Sequence, residues 1–166
     1  MYRILTTFSV SVVFAATWLA PISRAGDLNT QDRKFLQQAA TGGTMDLRLG
    51  QMGLDYGSSA RVKMLAQMLV DDHTKANDEL NDIANRKGVT LAAEDREVPN
   101  GLPGLTGAAF DKEFLRMTLK DHQREIKEFE KEVSSGSDPE LKTWANKMLS
   151  ILHTHFEAAK ALGPKG

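Results

Sequence analysis

Four residues carry the chemistry of this 166-residue chain, and each stands where an apolar residue is due. Asp46, His73, His122 and His155 interrupt four otherwise apolar stripes of three-four spacing, one residue to a stripe. A helical core tolerates few polar groups without partners, because desolvating one costs free energy. Four such positions on four stripes therefore point to one meeting place. Three imidazoles and a carboxylate are a donor set for a transition-metal ion: Cu, Zn, Fe or Ni. One stripe histidine alone reads as a core residue satisfied by hydrogen bonds. For the group, two readings stand side by side: a metal site, and a buried polar network in a structural or stress-related envelope protein.

The flanking residues refine the picture. Asp72 and Asp121 precede His73 and His122 by one position, about 100° round the helix. They are expected as hydrogen-bond partners standing behind the ligands, or as surface charges. Met68 and Met117 flank the same stripes; thioether with imidazole favours copper, although methionine also simply fills cores. Non-covalent haem held between histidine and methionine is a further option, against which four bulky stripes leave no obvious cavity. His153 lies off its stripe, as a surface residue or an alternate ligand, and Glu79 and Glu128 are read as solvated. An oxidase-type di-iron site needs glutamates on two helices and Glu-x-x-His on the other two. Here Val70, Leu119 and Leu152 stand three residues before the histidines. There is no serine-nucleophile motif, phosphate loop or zinc-protease helix motif, and no acid–base pair or nucleophile stands out, which leaves enzyme activity as a third and weaker option.

The elements that must position these residues are clearly punctuated. Capping residues and terminal glycines predict helices at about 30–56, 58–87, 106–134 and 138–162. Gly42-Gly43 predicts a kink or a break in the first helix. Ser137-Asp138-Pro139-Glu140 reads as a capping box. The inward stripes are Phe35, Ala39, Gly42, Leu49, Gly53 and Tyr56; Val62, Leu65, Leu69, Ala76, Leu80 and Ile83; Leu115, Leu119, Ile126, Phe129 and Val133; and Leu141, Ala145, Met148, Leu152, Ala159 and Leu162.

Height decides the topology. In an up-down-up-down bundle Asp46 and His155 would sit about 12 Å apart along the axis, at about 1.5 Å of rise per residue. The segment 89–105 spans roughly 56 Å when extended, enough to cross a helix of about 45 Å. With that crossing, all four positions fall within about 9 Å of one height. The expectation is an all-α, ferritin-like four-helix bundle with a long connection between helices 2 and 3.

Arg3, the uncharged stretch Ile4–Ala20, Pro21 and Ser23-Arg24-Ala25 read as a signal peptide cleaved after Ala25, which places the domain 26–166 in the periplasm. The apolar run is broken by Thr6, Thr7, Ser9 and Ser11, so no stable membrane insertion is expected after cleavage. Removing Arg3 and Arg24 leaves 19 basic and 22 acidic residues, a net charge of −3, which gives no drive towards nucleic acid or anionic lipid. The chain has no cysteine, which excludes a lipoprotein, disulfides, thiolate metal ligands and covalently attached haem.

Met68 to Leu80 and Met117 to Phe129 share methionine, Asp-His and Glu-apolar at identical offsets, an internal echo. With Gly42-Gly43, Leu49-Gly50, Val70-Asp71-Asp72-His73, Phe110-Asp111, Asp121-His122 and the histidines near 153–155, the chain resembles the exported bacterial family known as domain of unknown function 4142. The resemblance covers about Asp32 to Leu162. It implies a ferritin-like fold and an export route, and no established activity. The family usually has glutamate where this chain has Asp46, a reach shorter by one methylene.

Overall fold

The computed structural model describes residues 28–92 and 101–163; the expected signal peptide lies outside them. Four helices account for most of the described chain: α1 (Thr30–Tyr56), α2 (Ala60–Arg86), α3 (Gly107–Ser135) and α4 (Pro139–Leu162). Three of them start where a side chain satisfies an orphan backbone donor. Asn29 accepts from the Asp32 amide at 2.8 Å, and Ser59 from the Val62 amide at 3.2 Å. Asp138 accepts from the amides of Glu140 and Leu141, so the cap of α4 is Asp138 and not Ser137. Proline at the next position lacks the N–H that a first-turn residue leaves unused anyway.

Contacts at the helix ends fix the topology. Asp111, in the first turn of α3, accepts from the Ser58 amide (2.8 Å), the Ser58 hydroxyl (2.7 Å) and the Ser59 amide (3.0 Å) in the α1–α2 turn. At the opposite end Asn29 bonds Ser137, and Lys87 reaches Asp138 at 2.6 Å. Hence α2 and α3 run parallel, and the two described ends of the connection between them lie at opposite poles of the bundle. Gln37 holds its first residues against α1 by bonds to Thr90 and Ala92. Leu102, near its end, is buried at the far pole. This is the four-helix bundle with a parallel α2–α3 pair that the heights of the four polar residues favour.

The core is two apolar clusters, each built from all four helices. One holds Phe35, Leu36, Leu80, Phe129, Trp144 and Leu152. The other holds Leu49, Leu65, Leu69, Phe110, Phe114 and Ala159. A layer of buried polar side chains lies between them in sequence on every helix.

Three expectations need correction. Gly42 and Gly43 do not break α1, which runs unbroken to Tyr56; tertiary packing overrides their poor propensity. Tyr56 is 55% exposed, because α1 ends there and turns away from the core. The face of α3 is also rotated from the expected stripe. Phe114, Thr118, Glu125 and Glu132 point inward, while Leu119, Ile126 and Val133 are half-buried at its edge. Each buried acid faces another carboxyl group: Glu125 lies opposite Asp46, and Glu132 opposite Asp32.

Two outcomes follow from these contacts. Asp111→Ala removes three hydrogen bonds that join the α1–α2 turn to α3, and chemical denaturation should show a loss of about 1–2 kcal/mol, as expected for bonds to a charged acceptor near the surface. Burial beside the Asp32 charge pushes the Glu132 carboxyl up to about 7. A raised folded-state pKa favours the fold at low pH and loses that contribution as pH rises from the ordinary glutamate range through about 7. Glu132→Gln should therefore leave the melting temperature unchanged near pH 4 and raise it above wild type at pH 8; parallel melting curves at both pH values would refute this.

Candidate metal centre

Each helix delivers one of the expected residues to the layer between the clusters. Asp46 (α1), His73 (α2), His122 (α3) and His155 (α4) are all at most 2% exposed. They converge: His73 Nε2 lies 3.6 Å from Asp46 Oδ2, and His122 Nδ1 lies 3.8 Å from Asp46 Oδ1. The three imidazole rings sit 5.3–5.7 Å apart, centre to centre.

A fifth residue joins them. Glu125, one turn beyond His122 on the same face of α3, is buried and shares a side-chain hydrogen bond with Asp46. Its place depends on Gly42: a Cβ there would stand 2.5 Å from Glu125 Oε1. The glycine pair of α1 thus supplies space for polar side chains where a kink was expected. The signal for Glu125 was present in the sequence as His-x-x-Glu, the reverse of the order sought for a di-iron motif.

Electrostatics sorts the protons. Burial works against the charge of Asp46, but His122, His73 and the bond from Glu125 outweigh it and hold this carboxyl below its usual range. Burial, with the Asp46 charge alongside, pushes Glu125 well up. Of the two carboxyl groups, Glu125 is therefore the one that favours a shared proton, as donor to Asp46. Burial lowers His122 to about 4 and lowers His155 as well, so both rings are neutral at pH 7.

Neutral rings in a hydrogen-bonded chain have determined tautomers. Asp72 Oδ2 lies 2.9 Å from His155 Nε2, and a carboxylate only accepts, so His155 carries its proton on Nε2. Its Nδ1 then accepts from His122 Nε2 at 3.1 Å. The lone pair of His122 is left on Nδ1, facing Asp46. This chain gives Asp72 a place behind a histidine, but that histidine is His155 across the bundle and not its neighbour His73. Both nitrogens of His155 are engaged.

The other flanking residues lie elsewhere. Asp121 pairs with Arg124 at 3.0 Å and meets no histidine. Met117 packs in the Phe110–Phe114 cluster, and Met68 is half-buried on α2. The methionine beside the layer is Met148 of α4, which lines a small cavity together with His73 and Glu125. His153 is exposed, Glu79 pairs with Lys147 at the surface, and Glu128 is half-buried within reach of Arg124.

Four buried atoms have no hydrogen-bond partner in this layer: Asp46 Oδ2, His73 Nε2, His122 Nδ1 and Glu125 Oε1. Ligand atoms of His73, His122 and His155, and likewise of Asp46, His122 and Glu125, lie within 4.8 Å of one another. Either trio can contract around one ion. His122 belongs to both.

Solved structures resemble the bundle closely in fold. A DUF305 fragment from Deinococcus radiodurans matches with a TM-score of 0.72 at 17% identity, over 81% of this chain and 96% of that one. CopM in its Cu(I)-bound form matches with a TM-score of 0.68 at 15% identity, over 79% and 94%. CopM in a silver-bound form matches at 0.63 and 19%, over 79% and 93%. None of the curated proteins matches the sequence. The domain of unknown function DUF4142 matches residues 19–162, nearly the whole chain. The chain belongs to the DUF4142 family.

Proposed function

We propose that this protein is exported to the periplasm and holds a transition-metal ion in its polar layer, for metal buffering or in a stress response. The observation that carries this reading is the set of four buried atoms without a hydrogen-bond partner on Asp46, His73, His122 and Glu125, the last of them 3.6 Å from the Arg124 guanidinium. A desolvated acceptor without a partner is costly, and two facing acceptors are costlier still. A cation between Asp46, His122 and Glu125 answers three of them at once. The neutral state of His122 leaves its nitrogen ready to bind, as metal ligation requires.

Two carboxylates and an imidazole, from Asp46, Glu125 and His122, suit a divalent ion such as Zn, Cu, Fe or Ni. In that arrangement His155 and Asp72 stand behind His122 and orient it. A softer ion would draw on His73, His122 and His155 instead, with His155 releasing His122. CopM, similar in fold, has been captured with Cu(I), Cu(II) and silver, which supports copper among the candidates. No helix among the described residues is long and apolar enough to cross a membrane, which is compatible with a periplasmic domain.

The second reading, a metal-free polar network, draws support from the Asp72–His155–His122 chain itself. Metal content by mass spectrometry separates the two. Untagged protein from the periplasm should carry a near-stoichiometric ion that His73→Ala/His122→Ala lacks. Asp72→Asn, which loosens the orienting chain, should weaken affinity about 10–100-fold. Metal-free wild type that also refuses added Cu, Zn, Fe and Ni, with substitutions that change only stability, establishes the network reading instead.

A further inference from the structure

The ligand layer is closed by packed helix faces, so an ion needs an entry path. Two openings lie beside each other on the α1–α2 side. Outside is a surface groove of about 200 Å³, lined by Ala40, Thr44 and Asn81 and roofed by Leu91 and Ala92 at the start of the long connection. Gln37 pins that roof to α1 through its bonds with Thr90 and Ala92. Inside is a cavity of about 10 Å³ bounded by His73, Glu125 and Met148. That is room for about one water or one ion. Among the described residues, Asn77 alone lines both openings.

Asn77 has room in this position because residue 43 is glycine. A Cβ on residue 43 would collide with the Asn77 carboxamide oxygen. The second glycine of the pair thus keeps an amide seated between groove and cavity. A carboxamide suits that place. Its oxygen can take over one site in the hydration shell of a cation, and a neutral donor does not trap the ion as a carboxylate would. The side chain is half-buried, so a rotamer change is open to it on the groove side.

We propose that Asn77 is the portal through which the ion passes between the α1–α2 groove and the ligands. The proposal rests on the metal-binding reading above. A portal residue alters the barrier and not the end states. Loading and release should change together, by the same factor, with the affinity unmoved. A ligand behaves differently: its loss lowers the affinity itself.

Trp144 lines the inner cavity and is the only tryptophan of a chain that lacks residues 1–25. Its quenching by Cu²⁺ can be followed by stopped flow on exported protein, and release by adding excess chelator. Asn77→Ala should speed both loading and release about tenfold, and the similarly sized Asn77→Leu should slow both about tenfold, a change of about 1.4 kcal/mol in the barrier. Affinity should stay within about twofold of wild type. Copper uptake at unchanged rates in both variants overturns the portal and leaves the metal site standing. A fall in affinity carried by release alone overturns it too, by making Asn77 a ligand. Wild type that takes up no copper overturns both readings together.

Discussion

A carboxylate sealed inside a helical bundle must be answered by nearby groups or give up its charge. Asp46 keeps its charge, and the rest of the layer is arranged around that fact. His122 and His73 turn nitrogens towards it, and Glu125 gives it a proton-bearing neighbour. Burial keeps His122 neutral in spite of the adjacent charge, because desolvation of an imidazolium outweighs its attraction to one carboxylate. The result is that His122 Nδ1 and Asp46 Oδ1 face each other 3.8 Å apart. The same balance explains the two glycines of α1, which clear space for Glu125 and Asn77 where any larger residue would push them out.

The topology serves the same end. Residues far apart in sequence can meet across a bundle only at equal height, and the long connection makes that possible by returning the chain to the pole where α2 began. Asp111 then fixes the start of α3 against the α1–α2 turn, while Lys87 and Asp138 tie α2 to α4 at the other pole. Burial works against the Asp111 charge, but the bonds from Ser58 and Ser59 outweigh it and hold this carboxyl below its usual range. The registers of all four helices are thereby set from both ends, with the polar layer between.

Much of this was legible in the residues. Apolar spacing on α2 and α4 identified the inward faces, and the odd polar residue on each stripe marked the site. Height arithmetic led to the crossover. Glu125 and Glu132 were missed because a search by hydrophobicity assigns glutamate to water; only the partner opposite, Asp46 or Asp32, reveals why each is inside. The same bias rotated the assigned face of α3 onto Leu119, Ile126 and Val133, which sit at its edge. The pairing of Asp72 with His155 depends on how two helices turn towards each other, and no spacing within one helix encodes that. Gly42 and Gly43 were read through local propensity, whereas their role lies in what approaches them.

The division of the core has a consequence for how the chain folds. Neither apolar cluster belongs to one helical hairpin; each takes side chains from α1, α2, α3 and α4. The α1–α2 pair and the α3–α4 pair therefore each expose half of two unfinished interiors until they dock. Docking must close the loop from Lys87 to Thr106, whose entropic cost grows only slowly with its length. Both interiors are thus completed by contacts across the crossover, long-range in sequence for all the local contacts within each helix.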